Sequence, residues 1–356
     1  MRRILFIACG VFILQGGAAE ASCDPPVRGA ARLDVGTPWR RPPLPASLSG
    51  ITWAGGTNYY AVSDDVFTHE VGLYPMTLEL ASNGLSVISC SIPSPANRIQ
   101  LAKAYDLEAV VFDAANGTVW VADETRHTVK EYRLTDGAVL RALPLPDDLR
   151  RTRANLGIES LALSADGKTL WTCTEEALPC DGPRSSPANG TTVRLLKYVR
   201  PTVHDDFALA ESFPYTTDPW CQAHDFRGKG RRGVSGLCAL PDGSLLVLER
   251  ELSFGGSNPL TALSTASLFF AVYRVEPTLG GSRSCATGTR KEKLASGGGS
   301  VFASGNYEGI CLGPRLADGK WSILLVSDSG DGASPPYILP MVLSLSPCTA
   351  DSSARR

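Results

Sequence analysis

Histidine is scarce in this chain, and several familiar catalytic motifs are missing. Among 356 residues there are 4 histidines, His69, His127, His204 and His224. No two of them show the short spacing of zinc ligands. The chain has no P-loop and no dinucleotide fingerprint. The stretch Gly233-Val234-Ser235-Gly236 does not match the nucleophile elbow G-x-S-x-G, and it opens a strand where that motif opens a helix. The sequence therefore does not predict a zinc site, a nucleotide-binding site or a catalytic serine on a nucleophile elbow.

The chain also lacks a strong charge and a long apolar run. Its net charge of −2 gives no general attraction to nucleic acid or to an anionic membrane. The apolar run at residues 4–14 is too short to span a bilayer. It follows Arg2 and Arg3 and precedes Ala19-Glu20-Ala21, so residues 1–21 are predicted to be a secretory signal peptide. We expect a secreted or periplasmic monomer without nucleic-acid or, after cleavage, membrane partners.

Glycine and proline are abundant, with 35 and 25 residues, as a turn-rich all-β protein requires. No helical pattern of useful length is present. Residues 157–176 illustrate the dominant unit, a β-hairpin. The first strand is apolar and contains Ile158, Leu161 and Leu163, and Asp166-Gly167 supplies a tight turn. A run rich in strand-forming residues then makes the second strand of the hairpin.

The same hairpin recurs along the chain. The five copies are residues 48–65, 106–124, 157–176, 233–251 and 306–328. Two more strand-like runs follow each copy except the last, which is followed by residues 337–345 alone. A period of this length, with four strands in each unit, indicates a β-propeller.

The missing strand is predicted at residues 31–39, near the other end of the chain. We therefore predict an all-β propeller of five four-stranded blades, closed by the N-terminal strand; six blades are the alternative. The propeller would occupy residues 31–348, between polar tails at 22–30 and 349–356.

The cysteines suggest disulfide bonds. Of 10 cysteines, Cys9 lies in the signal peptide, so an odd number remains in an oxidising compartment. Disulfides are expected there, with at least one thiol left over. Because closure brings the termini together on one face, we predict a bond between Cys23 and Cys348.

The long connections share one face of the disc, and the open ends of the hairpins lie on that face. The inner strands begin at Ser49, Glu108, Glu159, Ser235 and Glu308. The second strands end at Asp64, Asp65, Asp123, Glu124, Glu175, Glu176, Glu249 and Asp328. Geometry places both sets around the mouth of the central channel.

Such a set of carboxylates must stay solvated, raise its pKa values, pair with arginine or bind a cation. Oxygen ligands favour Ca²⁺ over zinc. The simpler interpretation for a single acid is that it accepts backbone hydrogen bonds in a turn. A cation beside the arginines near these acids would suit an anionic substrate such as a phosphate ester.

The hairpins resemble those of the phytase-like family, which is described by an esterase-like activity of phytase. The residues that carry the resemblance are Leu48-Ser49-Gly50-Ile51 with Val62-Ser63-Asp64, Leu107-Glu108-Ala109-Val110 with Val121-Ala122-Asp123-Glu124, Asn155-Leu156-Gly157-Ile158-Glu159-Ser160-Leu161, Leu240-Pro241-Asp242-Gly243-Ser244-Leu245-Leu246-Val247-Leu248-Glu249-Arg250, and Tyr307-Glu308-Gly309-Ile310 with Leu324-Leu325-Val326-Ser327-Asp328. The resemblance covers nearly the whole mature chain, and it implies hydrolysis of phosphate or other esters.

These observations lead to a hypothesis of a secreted, Ca²⁺-dependent ester hydrolase that acts on a small anionic ester. The predicted metal ligands are Glu108, Glu159 and Glu308. Asp64, Asp123 and Asp328 would complete the site or position water, and Arg250 would contact the anionic group. Two alternatives stay open: a non-catalytic propeller that binds a protein or glycan through its acidic long-loop face, and an esterase similar to the lactonase propellers.

Overall fold

A computed structural model describes residues 30–40, 47–64, 71–220, 229–255, 264–278, 288–329 and 336–345. Within these residues, 20 strands form five antiparallel sheets of four strands each. Two short 3-10 helices, Pro95–Asn97 and Asp147–Arg151, lie in connections. No helix in the described part of the chain is long and apolar enough to cross a membrane. The predicted signal peptide and both predicted tails, apart from residue 30, lie outside the residues described.

Each blade is a sheet whose strands run in order from the centre of the ring outward. Blade one consists of β2 (Gly50–Trp53), β3 (Asn58–Ser63), β4 (Gly72–Leu80) and β5 (Val87–Ser91). Blade two consists of β6 (Leu107–Asp113), β7 (Thr118–Asp123), β8 (Thr128–Arg133) and β9 (Val139–Ala142). Blade three consists of β10 (Ile158–Leu163), β11 (Thr169–Thr174), β12 (Thr192–Val199) and β13 (Ala208–Thr216).

The last two blades contain the longest strands and the ring closure. Blade four consists of β14 (Lys229–Ala239), β15 (Leu245–Phe254), β16 (Ser267–Thr278) and β17 (Gly288–Ser300). Blade five consists of β18 (Asn306–Arg315), β19 (Trp321–Asp328), β20 (Ile338–Leu345) and β1 (Ala31–Val35).

The ring closes as predicted, with five blades. The inner strands β2, β6, β10, β14 and β18 contact one another in that cyclic order. The N-terminal strand β1 pairs antiparallel with β20, from Ala31 opposite Leu345 to Val35 opposite Met341. A further bridge joins Trp39 to Ile338. The first and last strands of the described chain therefore belong to one blade.

The predicted tight turns join the first and second strands of the blades. In blades two and three the turn residues Gly117 and Gly167 have φ values of +64° and +70°. Glycine adopts these left-handed values without the steric cost that a Cβ atom imposes. The apolar faces of the hairpins then pack between neighbouring blades: the ring centroids of Trp120 in blade two and Phe207 in blade three lie 5.5 Å apart.

Blade four extends beyond the strands expected from the sequence. β14 begins at Lys229 and β15 runs to Phe254, into segments that the pattern assigns to long loops. Many residues of this extension are polar, so its sequence lacks the alternation of apolar and polar residues by which strands are recognised. Contacts across the two strands stabilise it, because Arg232 donates to Glu249 at 2.6 Å and to Glu251 at 3.1 Å.

The described cysteines are free thiols. They are Cys90, Cys173, Cys180, Cys238 and Cys311. Cys23 and Cys348 lie outside the described residues, so the disulfide between them stays a prediction.

Closure of the ring makes Leu33 a test of stability. Its side chain is 7% exposed and packs in the core that blades four and five share. We expect Leu33→Ala to lower the free energy of unfolding by about 2–4 kcal/mol, because the removed atoms leave a cavity. The exposed neighbouring change Arg32→Ala serves as the control and should have an effect within about 0.5 kcal/mol. Equal urea midpoints for Leu33→Ala and the unchanged protein would contradict the role of β1.

Candidate functional site

Four of the five inner strands are interrupted by a β-bulge at the same position. The register between the first and second strands of blades two to five skips one residue near the open end of the hairpin. The skipped residues are Glu108, Glu159, Ser235 and Glu308. A bulge re-aims the side chain of the extra residue. Three glutamates are thereby brought to one cavity at the mouth of the channel.

The cavity has a volume of about 200 Å³ and is strongly acidic. Its acidic lining residues are Asp64, Asp106, Glu108, Glu159, Glu308 and Asp328. Deeper in the ring the space shrinks to about 10 Å³, which is at most the room that one water needs. The inner strands approach closely there: a Cβ atom on Gly309 would lie 2.9 Å from the Ser49 carbonyl oxygen. A ligand would therefore be confined to the mouth.

Arg250 joins three blades on one side of this mouth. It is 8% exposed, and it donates to Glu175 of blade three at 2.6 Å and to Glu308 of blade five. It also donates to the Asn306 side chain at 3.3 Å. The absence of a side chain at Gly233 makes room for this arrangement, since a Cβ atom there would lie 2.6 Å from Glu175 Cγ. The guanidinium that the sequence assigns to an anionic substrate is thus engaged by two carboxylates.

Asp123 faces a different environment from the other predicted site residues. Its carboxylate accepts hydrogen bonds from the backbone N–H of Tyr105 at 2.9 Å and of Arg126 at 3.0 Å. It is not among the residues that line the cavity. These contacts are those of an acid that stabilises the turn at a strand end, and its proposed part in catalysis stays a prediction.

On the other side of the mouth, Asp64, Asp106 and Glu108 form a possible cation site. Each contributes one carboxylate oxygen, and the three oxygens lie within 4.8 Å of one another. Two oxygens bound to one Ca²⁺ at about 2.3–2.6 Å lie at most about 5 Å apart, so the spacing fits. Asp64 Oδ1 is buried and has no hydrogen-bond partner among the described residues. A cation bound at this position would supply the missing partner.

Asp106 is the member of this cluster that the sequence interpretation missed. It directly precedes β6 and lies next to Glu108 in the repeated hairpin. Its second oxygen accepts a hydrogen bond from Thr125 Oγ1 at 2.5 Å. The available signal was its place two residues before Glu108, where the aligned position before the first hairpin is Ser47. Only the spatial approach of Asp64 from blade one distinguishes it from an ordinary acid before a strand.

Burial and mutual repulsion raise the pKa values of the three inner glutamates. Burial is the main cause for Glu108, followed by Glu159 and Asp64. Glu159 is raised by burial and then by Glu175 and Glu124. The pKa of Glu308 is raised by burial, although Arg250 opposes the change. Charge in this cavity is therefore costly unless a cation is present.

Glu159 is a buried acid with a raised pKa that stands apart from the possible cation site. It is 5% exposed and lies on the cavity wall, outside the cluster of Asp64, Asp106 and Glu108. The pKa of its neighbour Glu124 is also raised by burial, and hydrogen bonds from Gly157 N–H and with the Glu159 carboxyl oppose this rise. Two carboxyl groups can hydrogen-bond to each other only when one of them carries a proton, so the raised pKa of Glu159 suits a proton donor.

A family model now adds to this geometry. The model described as phytase-like, with esterase-like activity of phytase, matches residues 45–330. The chain belongs to this phytase-like family. The matched segment contains every residue that lines the cavity. A search of curated proteins finds no significant match.

Solved structures similar to the phytase-like chain are distant. A hydrazine synthase from Kuenenia stuttgartiensis matches with 11% identity and a TM-score of 0.35, over 80% of this chain and 77% of that protein. A protein from Lactobacillus plantarum matches with 14% identity and a TM-score of 0.33, over 84% and 83%. A PQQ-bound aldose sugar dehydrogenase from Streptomyces coelicolor matches with 12% identity and a TM-score of 0.36, over 84% and 83%. Likenesses this weak support no functional argument.

The raised pKa values of the cavity carboxyl groups predict how the stability of the fold depends on pH. Burial, and then the charge of Asp328, raise the pKa of Asp64 to about 7 in the metal-free protein. An Asp in the unfolded chain has a pKa of about 3.9. The folded state therefore holds this proton more tightly, and stability present below about pH 4 is lost as the pH rises through about 7.

We expect the melting temperature in EDTA to fall between about pH 4 and about pH 7, and Asp64→Asn to flatten this slope. The matched control is Asp136→Asn, in an exposed turn where hydrogen bonds lower the pKa. That group titrates below the window, so the control should keep the slope. A melting temperature that is constant or rises across the window would show that the cavity carboxylates are not perturbed in this direction.

Proposed function

We propose that this phytase-like chain is a secreted or periplasmic, Ca²⁺-dependent hydrolase of small anionic esters, with phosphate esters as the leading class. The observation that carries the proposal is the cluster of Asp64, Asp106 and Glu108 in a dead-end cavity, together with the partnerless buried oxygen of Asp64. Membership of a family described by esterase-like activity supports the choice of reaction.

The chain's own residues suggest a division of roles. Asp64, Asp106 and Glu108 would hold the cation, and Glu108 is the central ligand because it is 8% exposed and accepts no hydrogen bond from the described residues. A bound Ca²⁺ would neutralise charge and polarise an oxygen of the ester. Glu159 and Glu308, also proposed as ligands from the sequence, line the same cavity from blades three and five.

Two further acids are suited to proton transfer. Glu159, whose pKa is raised by burial and by neighbouring carboxylates, would give a proton to the departing alcohol. Asp328 lines the cavity and accepts a hydrogen bond from Asn306 Nδ2 at 3.4 Å. It would orient the attacking water. An acid and a base held apart in one cavity are the arrangement that general acid–base catalysis needs.

A panel of chromogenic phosphate and carboxylic esters, each with Ca²⁺ and with EDTA, tests the proposal. We expect turnover of phosphate esters that depends on Ca²⁺, and a loss of at least about a hundredfold in Glu159→Gln because a proton donor typically contributes about 10²–10⁴-fold. Glu79→Gln removes an exposed glutamate on β4 and should not change the rate. No turnover of any ester by folded protein would overturn the hydrolase and favour a propeller that binds a protein or glycan.

Cation binding is tested separately by thermal melting. A ligand that binds only the native state stabilises it by about 2.7 kcal/mol at a hundredfold excess over its dissociation constant. We expect Ca²⁺ to raise the melting temperature, and Glu108→Gln and Asp106→Asn to remove most of the increase. Glu159→Gln should reduce it less, because Glu159 lies outside the three-oxygen cluster. Equal melting temperatures in EDTA and in millimolar Ca²⁺ would rule out a strong site.

A further inference from the structure

Blade four forms one wall of the cavity. Along one row of side chains that crosses its strands, this wall changes from basic to apolar. Arg231 of β14 lies directly opposite Leu252 of β15, and Leu252 lies directly opposite Leu268 of β16. Directly opposed residues of neighbouring strands share a face, with Cβ atoms about 5 Å apart. All three residues line the cavity. The row therefore runs outward from the channel mouth.

Arg231 is the arginine of this cavity that has hydrogen-bond donors to spare. Its side chain is 31% exposed, and its closest acid, Glu175, lies 3.7 Å away, beyond hydrogen-bonding distance. The described residues offer its guanidinium no other acceptor. Arg250, by contrast, donates to two carboxylates, and the neighbouring Arg232 is engaged by Glu249 and Glu251. Arg231 therefore forms only one long ion pair and keeps hydrogen-bond donors that can contact an anion.

The outer part of the row is apolar and belongs to a small hydrophobic cluster of its own. Leu268 is 2% exposed and packs with Ala266 and Val301, while Leu252 is partly buried against them. The side chain of Phe302, directly after Val301, is 55% exposed. Leu252 therefore supplies most of the accessible apolar surface at the edge of an otherwise acidic cavity.

We propose that the ester bound here is amphipathic, with its anionic head at Arg231 and an apolar organic group on Leu252 and Leu268. This inference rests on the proposed ester hydrolase and names its substrate class. Polar hydroxyl or phosphate groups placed against the two leucines would lose water without gaining partners. An aryl or alkyl group gains by burial against the same surface. The cavity should therefore favour monoesters of apolar alcohols over those of polyols.

Butyl phosphate and glycerol phosphate carry the same head on alkyl alcohols of similar leaving ability, so they test the preference directly. We expect kcat/KM to be at least about tenfold higher for butyl phosphate, the lower end of what one apolar contact confers. Leu252→Gln should remove about tenfold of this ratio. Arg231→Gln should raise KM for both esters and leave the ratio unchanged. Leu140→Gln, which changes an exposed leucine on the outer strand of blade two, should alter neither value.

Binding of phosphonates separates this inference from the hydrolase itself. With Ca²⁺ present, phenylphosphonate should raise the melting temperature of the unchanged protein more than methylphosphonate does, and Leu252→Gln should abolish the difference. That result without any ester turnover would support the amphipathic site and overturn the hydrolase. Equal shifts by the two phosphonates in the unchanged protein would overturn the inference even if esters are hydrolysed, and this comparison does not require a variant to fold.

Discussion

The charge balance around Arg250 is the constraint on which the rest of the site depends. Blades that each bring an acid to one narrow axis would repel one another, and burial makes that repulsion stronger. Arg250 offsets it by pairing with Glu175 and Glu308 across three blades. The described part of the chain places no such arginine between Asp64, Asp106 and Glu108. One side of the mouth is therefore neutralised by the protein, and the other is the side at which we propose that a cation binds.

Backbone geometry concentrates this chemistry at the mouth. The repeated bulges turn Glu108, Glu159 and Glu308 towards the cavity, while close contacts between inner strands leave almost no space below it. A second group of charges on blade four shows the contrast. There Glu249 accepts from Arg232 at 2.6 Å and from Tyr215 at 2.6 Å, so its charge is satisfied by the protein. Paired charges of this kind stabilise the blade, whereas the carboxylates of Asp64, Asp106 and Glu108, which have no arginine partner among the described residues, are available to a ligand.

Family membership and site chemistry contribute separate parts of the functional conclusion. The family identifies an esterase-like activity, and the propeller fold alone is compatible with many activities. The narrower statements come from particular contacts. The oxygen spacing of Asp64, Asp106 and Glu108 suits a hard cation. The Arg231 guanidinium, which has only a long ion pair with Glu175, suits an anion. The leucines beside Arg231 carry the proposal that the ester has an apolar group.

The sequence by itself determined the repeated hairpin, the five blades, the closing role of β1 and the gathering of acids on one face. These features follow from the alternation of apolar and polar residues, from the turn residues and from the spacing of the repeats. All of these patterns can be recognised in the sequence without knowing which distant residues are in contact. Only the tertiary structure separated Asp123, held by backbone N–H groups, from Asp64, whose buried oxygen lacks a partner. It likewise brought Asp106 to Asp64, and it gave Arg250 short hydrogen bonds where Arg231 has only a long ion pair with Glu175. The physical reason is that a side chain at a strand end takes its direction from bulges and from partners on other blades, which are distant in sequence.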